Sequence, residues 1–178
     1  MRVLMIGPPG AGKGTQGARI ARHFHIPHIA TGEVLRDHVS RGTAIGRAAQ
    51  GHLDRGELVP DSLLFNAVRG AFAAGGFVLD GMPRTLDQAR SLERLGMTAD
   101  VAVHLHADDE ELTRRLLARG ASGGRSDDVE PVIRERLRRY HELAAPLTAW
   151  YRLRGMLVSL DATRPAHLVG RDVLAALT

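Results

Sequence analysis

Apolar positions along the chain gather into short unbroken runs, separated by longer stretches of mixed polarity. Val3 to Ile6 is such a run, closed by Gly7, the pattern of a strand buried on both faces. Comparable runs lie at Ile26 to Ile29, Phe77 to Leu79, Val101 to Leu105 and Met156 to Leu160. The stretches between them read as helices. Thr15 to Phe24 carries Ala18, Ala21 and Phe24 at helical spacing. Thr31 to Arg41 and Ile45 to Asp54 are two more, parted near Gly42-Thr43. Pro60-Asp61 opens another, to about Ala74, before Gly75-Gly76 breaks the chain. Residues 85 to 95 form the next, stopped by Gly96. Asp108 to Arg119 has acids in its first turn, which suits the helix dipole, and Gly120 to Gly124 follows as a loop. Val129 to Arg154 is mostly helical, with Pro146 set to kink or divide it, and Pro165 to Leu177 is the last helix.

Strands alternating with helices predict an α/β fold with a parallel sheet covered on both faces. Ligands of such sheets bind beyond the carboxyl ends of the strands. There is no internal repeat, low-complexity tract or long linker, so one domain over residues 1–178 is expected.

Bulk composition narrows the class. The chain is 44% hydrophobic and 25% charged, ordinary for a globular protein. No apolar run approaches the roughly 20 residues needed to span a bilayer, and the short N-terminal run lacks signal-peptide form. Cysteine is absent, which excludes disulfides and thiolate-bound zinc and fits a reducing, cytoplasmic location. The formal charge of +4 admits nucleic acid or a site built for polyanions. Aromatics are only 4%, too few for a base-stacking platform, so no nucleic-acid partner is expected.

Chemistry concentrates at the ends of the predicted strands. Gly7-Pro8-Pro9-Gly10-Ala11-Gly12-Lys13-Gly14-Thr15 follows the first strand and precedes a helix. Its Gly7, Gly12 and Lys13 meet the G-x-x-x-x-G-K phosphate-loop pattern, although position 14 is Gly and the hydroxyl arrives one residue late, at Thr15. Backbone N–H groups of such a turn point inward, and the helix N-terminus adds partial positive charge. Of 24 basic residues Lys13 is the only lysine, which suggests that a compact ammonium is wanted there.

After the second strand come Thr31, Glu33 and Arg36, which by themselves read as an N-capped helix with a solvated arginine. After the third come Asp80-Gly81-Met82-Pro83-Arg84-Thr85 and Gln88. Asp80 there holds a magnesium ion, directly or through water, or caps the next helix. Arg84 makes a phosphate fork, and Gln88 can hydrogen-bond a base edge. Arg115, Arg119 and Arg125 precede Asp127-Asp128, with Arg136 following at helical reach. Guanidinium groups on a glycine-hinged loop can close over a charged ligand and exclude water, as phosphoryl transfer needs.

In order along the chain, GPPGAGKGTQ, ATGEVLR, GELVPD and DGMPRT resemble adenylate kinase, within the nucleoside monophosphate kinases. The resemblance runs from Met1 to the last helix, and the family's own phosphate turn reads GKGT, which accounts for Gly14. It implies a P-loop three-layer sandwich on a five-stranded parallel sheet, an NMP-binding segment over residues 30–59 and a short lid over 119–129. It implies that Gly10, Ala11, Gly12, Lys13, Gly14 and Thr15 wrap the ATP phosphates, with Arg115 along the ATP adenine and the backbone near Arg164 closing the far side of that base. The AMP side would be Thr31, Arg36 and the Glu57-Leu58-Val59 backbone, with Gly81, Met82, Pro83 and Arg84 around base and phosphate and Gln88 reading the adenine. Lys13, Arg84, Arg119, Arg125 and Arg136 would act on the transferring group, the last two also reaching AMP. Asp80 would serve Mg2+, most simply through water, and Asp127 and Asp128 the metal shell or lid closure. The implied activity is reversible transfer from MgATP to AMP giving two ADP, in a monomer.

Three departures stand out. Met82 replaces the phenylalanine usual in DGFPR, and a cis bond before Pro83 is implied. Glu57 replaces a residue that is often lysine. Only five residues separate Arg119 from Arg125, so the lid is the short form without zinc cysteines. A UMP/CMP kinase shares the short lid, but it tends to carry alanine at the place of Thr31 and asparagine at that of Thr85. A catalytically inactive nucleotide-binding regulator is the alternative of another class, opposed by the full set of phosphate-binding arginines.

Overall fold

The structure is a computed structural model and describes residues 1–72 and 75–178. Five strands form one all-parallel sheet in the order β2-β3-β1-β4-β5. They are β1 (Arg2–Ile6), β2 (His28–Ala30), β3 (Phe77–Asp80), β4 (Val101–His106) and β5 (Leu157–Asp161). Central β1 pairs with β3 on one side (Leu4 opposite Leu79) and with β4 on the other (Leu4 opposite Ala102). From β1 the chain crosses to the edge strand β2, returns to β3 beside β1, and then passes to β4 and β5 on the other side, so the order reverses at β1. A crevice opens at that point beyond the strands' carboxyl ends.

Alternate residues of β1 serve different cores. Leu4 and Ile6 pack with Leu79, Leu92, Leu147 and Tyr151 on one face. Val3 and Met5 pack with Ile20, Leu112, Leu116, Ile133 and Val169 on the other. The period-2 pleat thus feeds two cores, and helices cover both faces, giving three layers. The helices are α1 (Lys13–Phe24), α2 (Thr31–Ser40), α3 (Ala44–Asp54), α4 (Asp61–Val68), α5 (Leu86–Arg94), α6 (Asp109–Ala121), α7 (Glu130–Leu153) and α8 (Ala166–Ala175). None of these is long and apolar enough to cross a membrane.

The predicted elements are all present, with boundary shifts. β2 lies two residues beyond the start of the expected run, because Ile26-Pro27 leads into the sheet and only His28 to Ala30 align with β3. The helix from Asp61 stops at Val68, followed by a 3-10 turn over Arg69–Ala71; its predicted end at Ala74 lies outside the described residues. Pro146 does not divide α7. It sits on the exposed face, where water can take the carbonyl it leaves unpaired, while neighbouring Leu147 is buried. Thr31 is not an N-cap: Ala30 holds that position without a side-chain bond, and Thr31 is buried as the first helical residue.

Candidate active site

The turn after β1 leaves α1 uncapped. Gly12 is its N-cap residue, no side chain bonds the first-turn N–H groups, and no acid lies in that turn. Three other helices are capped by a side chain, α3 by Thr43, which accepts from the Gly46 N–H, while α2, α4, α7 and α8 share the lack of a side-chain cap with α1. Thr85 accepts from the Gln88 N–H at the start of α5, and Asp108 accepts from the Glu111 N–H at the start of α6. Open N–H groups at the positive end of a helix form an anion site. Gly7 (φ +147) is required here because a Cβ would lie 2.3 Å from the Leu105 carbonyl oxygen. Lys13 Nζ donates to the carbonyls of Gly7 and Pro8, each at 2.8 Å, and so hangs over the turn. Burial pushes its ammonium down to about 8; Asp80 opposes, while Arg84, Arg136 and Arg125 add to the fall.

A cleft of about 1010 Å³ spreads from this turn across the carboxyl edge of the sheet. Gly10, Ala11, Gly12, Lys13, Gly14 and Thr15 line its floor. Arg36 and Leu58 line one side, with Asp80, Gly81, Pro83 and Arg84 beneath. Arg115, Arg119, Arg125, Arg136 and Arg164 line the other parts. Thr31, Glu57, Val59, Met82 and Gln88 stand behind this wall. Met82 and Val59 pack in the core, and Thr31 and Gln88 are buried polar groups. Gly81 (φ +88) is tied to Thr31, whose Oγ1 would lie 2.4 Å from any Cβ there. The bond between Met82 and Pro83 is cis.

The arginines divide into two kinds. Arg119 and Arg136 are paired: Arg119 makes a two-point contact with Asp128, and Arg136 donates to Asp128 Oδ1 at 3.1 Å and Asp127 Oδ2 at 3.2 Å. The Asp128 side chain is wholly buried. Burial pushes its carboxyl up, but the Arg119 hydrogen bonds and the charges of Arg119 and Arg136 outweigh that and leave it lowered. Both carboxylates thus contact guanidinium groups, which ties the loop after α6 to Arg119 and Arg136.

Arg36, Arg84 and Arg125 are the other kind. Among the described residues only Arg125 has an acidic partner, Glu33, at 3.8 Å. Arg84 Nε donates to the Gly81 carbonyl at 2.8 Å instead. All three guanidinium groups are held below their ordinary range, first by burial. Arg125 falls to about 10, with Arg36, Arg119 and Arg136 repelling it. Cations that repel one another at the wall of a cleft make a site that wants polyanionic charge.

Asp80 ends β3 and does not cap α5, where Thr85 does. The Asp80 carboxylate stands beside the turn, its Oδ2 3.5 Å from where a Cβ on Gly14 would lie, and offers hard oxygen donors. Among the described residues no group of three acids or histidines could form a cage. That fits a magnesium ion carried mainly by phosphate oxygens and water.

Several residues on the cleft were not singled out from sequence. Arg139, Tyr140, Leu143, Ala144 and Leu147 follow Arg136 along one stripe of α7 and line the wall. Their i, i+3, i+4 spacing from Arg136 was the available signal. Glu111 and Arg114 also line it; Glu111 accepts from Arg115 Nε at 2.6 Å, and Arg115 donates onward to the Thr163 carbonyl at 3.1 Å. Arg164 lines the cleft, and its side chain is bound to Asp172. Glu57 pairs with Arg55 at 2.8 Å and His52 at 3.2 Å, so its carboxylate is occupied.

A family model described as Adenylate kinase matches residues 5–156. The chain is similar to an adenylate kinase of Thermobifida fusca (strain YX), 45% identical over 185 residues, covering 99% of this chain and 98% of that protein. It is similar to one of Synechococcus sp. (strain WH7803), 46% identical over 183 residues with the same shares covered. A third, of Methanococcoides burtonii, is 37% identical over 211 residues, again at 99% and 98%. With an open phosphate turn, a cation-lined cleft and full-length relatives in agreement, the chain belongs to the adenylate kinase family.

Proposed function

We propose that the chain transfers a phosphoryl group reversibly from MgATP to AMP, giving two ADP, and that the cleft is where this happens. The observation that carries the reading is the open turn at the start of α1, with Lys13 above it, in one cleft with Arg36, Arg84, Arg119, Arg125 and Arg136. ATP phosphates lie in the turn from Gly10 to Thr15, against its N–H groups other than that of Ala11, which bonds the Pro8 carbonyl, and against the Lys13 ammonium. Arg115, Arg119 and the backbone at Arg164 border the adenosine side. AMP lies against the segment 30–59, its phosphate met by Arg36, Arg84, Arg125 and Arg136. Thr31, Gly81, Met82, Pro83 and the Glu57-Leu58-Val59 backbone shape its pocket, and Gln88 reads its base. Residues 119–129 act as the lid.

An oxygen of the AMP phosphate attacks the γ-phosphorus in line. The new O–P bond forms as the bond to the β-phosphate oxygen breaks, and that oxygen leaves on ADP. No side chain needs to act as a strong base, because the nucleophile is already a phosphate oxygen. The residues orient both nucleotides, and the arginines and Lys13 neutralise charge on the group in flight. Magnesium, when bound near Asp80 and Thr15, supplies further neutralisation of the phosphate oxygens. The reading includes a cytoplasmic monomer and no nucleic-acid or membrane partner.

A coupled assay of purified protein with ATP and magnesium, offering AMP, UMP, CMP and GMP in parallel, tests this. ADP formation with AMP and little with the others is expected. Preference for UMP or CMP would move the specificity assignment, and binding of ATP without turnover would indicate a regulator.

A further inference from the structure

We propose that Asp61 sets the base specificity of the acceptor pocket by holding the Gln88 side-chain amide in one of its two orientations. This rests on the reading above that Gln88 meets the acceptor base. Gln88 is 1% exposed, in the first turn of α5. Both ends of its amide are occupied. Nε2 donates to Asp61 Oδ1 at 2.7 Å, and Oε1 accepts from the Arg84 backbone N–H at 2.7 Å. Asp61 opens α4, 27 residues earlier in the chain.

The two ends of a glutamine amide have the same shape, so their assignment follows from their partners. Here the partners decide without ambiguity. An ionised carboxylate only accepts, and a peptide N–H only donates. Turning the amide over would set Oε1 against the carboxylate and Nε2 against the N–H. The buried Gln88 amide would lose both bonds and gain repulsive contacts in their place, even though Asp61 itself is exposed. The orientation is locked from behind.

After these two bonds the amide keeps one N–H and one acceptor lone pair. Adenine offers a donor, its exocyclic amino group, beside an acceptor, ring N1. The locked amide is the complement: Oε1 for the amino group and Nε2 for N1. A 6-oxopurine offers the reverse, a carbonyl acceptor beside an N1–H donor, and would need the amide turned over. A free glutamine would turn and accommodate either base. Asp61 thus rejects the oxo base without touching the nucleotide, by leaving the wrong base unpaired against a fixed edge. It is a positioning residue.

Inosine monophosphate is the probe, because it differs from AMP only at this edge. Steady-state kinetics with saturating ATP would compare AMP and inosine monophosphate as acceptors for the native chain, Asp61→Asn and Asp61→Ser. An asparagine amide or a serine hydroxyl can turn to meet either end of Gln88, so turning that amide over then costs the Arg84 N–H bond alone instead of two bonds. Both variants are expected to raise the ratio of kcat/KM for inosine monophosphate over AMP by roughly ten-fold. The change should lie in the KM of the acceptors, with the KM for ATP unmoved. A general disturbance of α4 would depress both acceptors and leave the ratio in place. An unaltered ratio in both variants, from protein that still turns over AMP, overturns the proposal. Gln88→Ala separates the two layers. If it leaves the AMP KM unchanged, the base-reading role fails and this proposal falls with it. If it raises the AMP KM while the Asp61 variants leave the ratio alone, only the lock is wrong.

Discussion

Two parts of the cleft handle negative charge by opposite means. At the turn after β1 the work falls to backbone: open N–H groups, positive-φ glycines and one ammonium. At the loop after α6 it falls to guanidinium groups, and carboxylates hold the chief ones in place. A backbone site is built once the strand, turn and helix are formed, so it costs no further ordering. A guanidinium site carries long side chains whose freedom must be lost somewhere. Asp127 and Asp128 take that cost at folding instead of at binding, so Arg119 and Arg136 stand ready. Arg36, Arg84 and Arg125 are left to repel one another until a nucleotide arrives. The difference teaches that a positive cleft need not be uniform: part of its charge is secured and part is waiting.

That contrast can be broken by substitution. Arg84→Ala removes a waiting cation, and turnover should fall by about two orders of magnitude or more. Its Tm should equal or slightly exceed that of the native chain, because mutual repulsion in the cleft is relieved. Near-normal turnover would remove Arg84 from the machinery. Asp128→Asn removes a securing anion and should act first on stability. The loss should be about 2 kcal/mol, reduced from the fully buried case because Arg119 is 34% exposed. Urea unfolding would show it as a lower midpoint at unchanged slope. A native-like midpoint would mean that the loop is held by something else.

The smallest expected effect sharpens the backbone side. In the free protein Lys13 titrates near 8, lowered by burial. Bound polyphosphate must raise it again. ATP binding a little above pH 8 should therefore take up a fraction of a proton, and affinity should fall as pH rises through that value. Calorimetry in buffers of different ionisation enthalpy measures the uptake. Proton release, or none, would show that the ammonium is already charged there before ATP arrives.

Much of this molecule was legible in its residues. The run Val3 to Ile6 and the glycine-lysine turn are local: a buried strand needs consecutive apolar side chains, and a close phosphate approach needs glycine. Boundaries were less legible. β2 was displaced because pairing with β3, and not hydrophobicity, decides which residues join the sheet. Thr31 has the chemistry of an N-cap, yet packing against Gly81 makes it helical and buried.

The sequence by itself determined the alternation of elements, the anion-binding turn and the set of cations available to it, because these depend on residue type and near spacing. Only the tertiary structure decided which cations are paired. Asp128 stands nine residues from Arg119 and eight from Arg136, and nothing in that spacing distinguishes it from a metal ligand. Asp61 and Gln88 are 27 residues apart, and their bond exists only because the fold brings the first turns of α4 and α5 together. Side-chain partners are set by where helices pack on the sheet, and that is a property of the folded core as a whole.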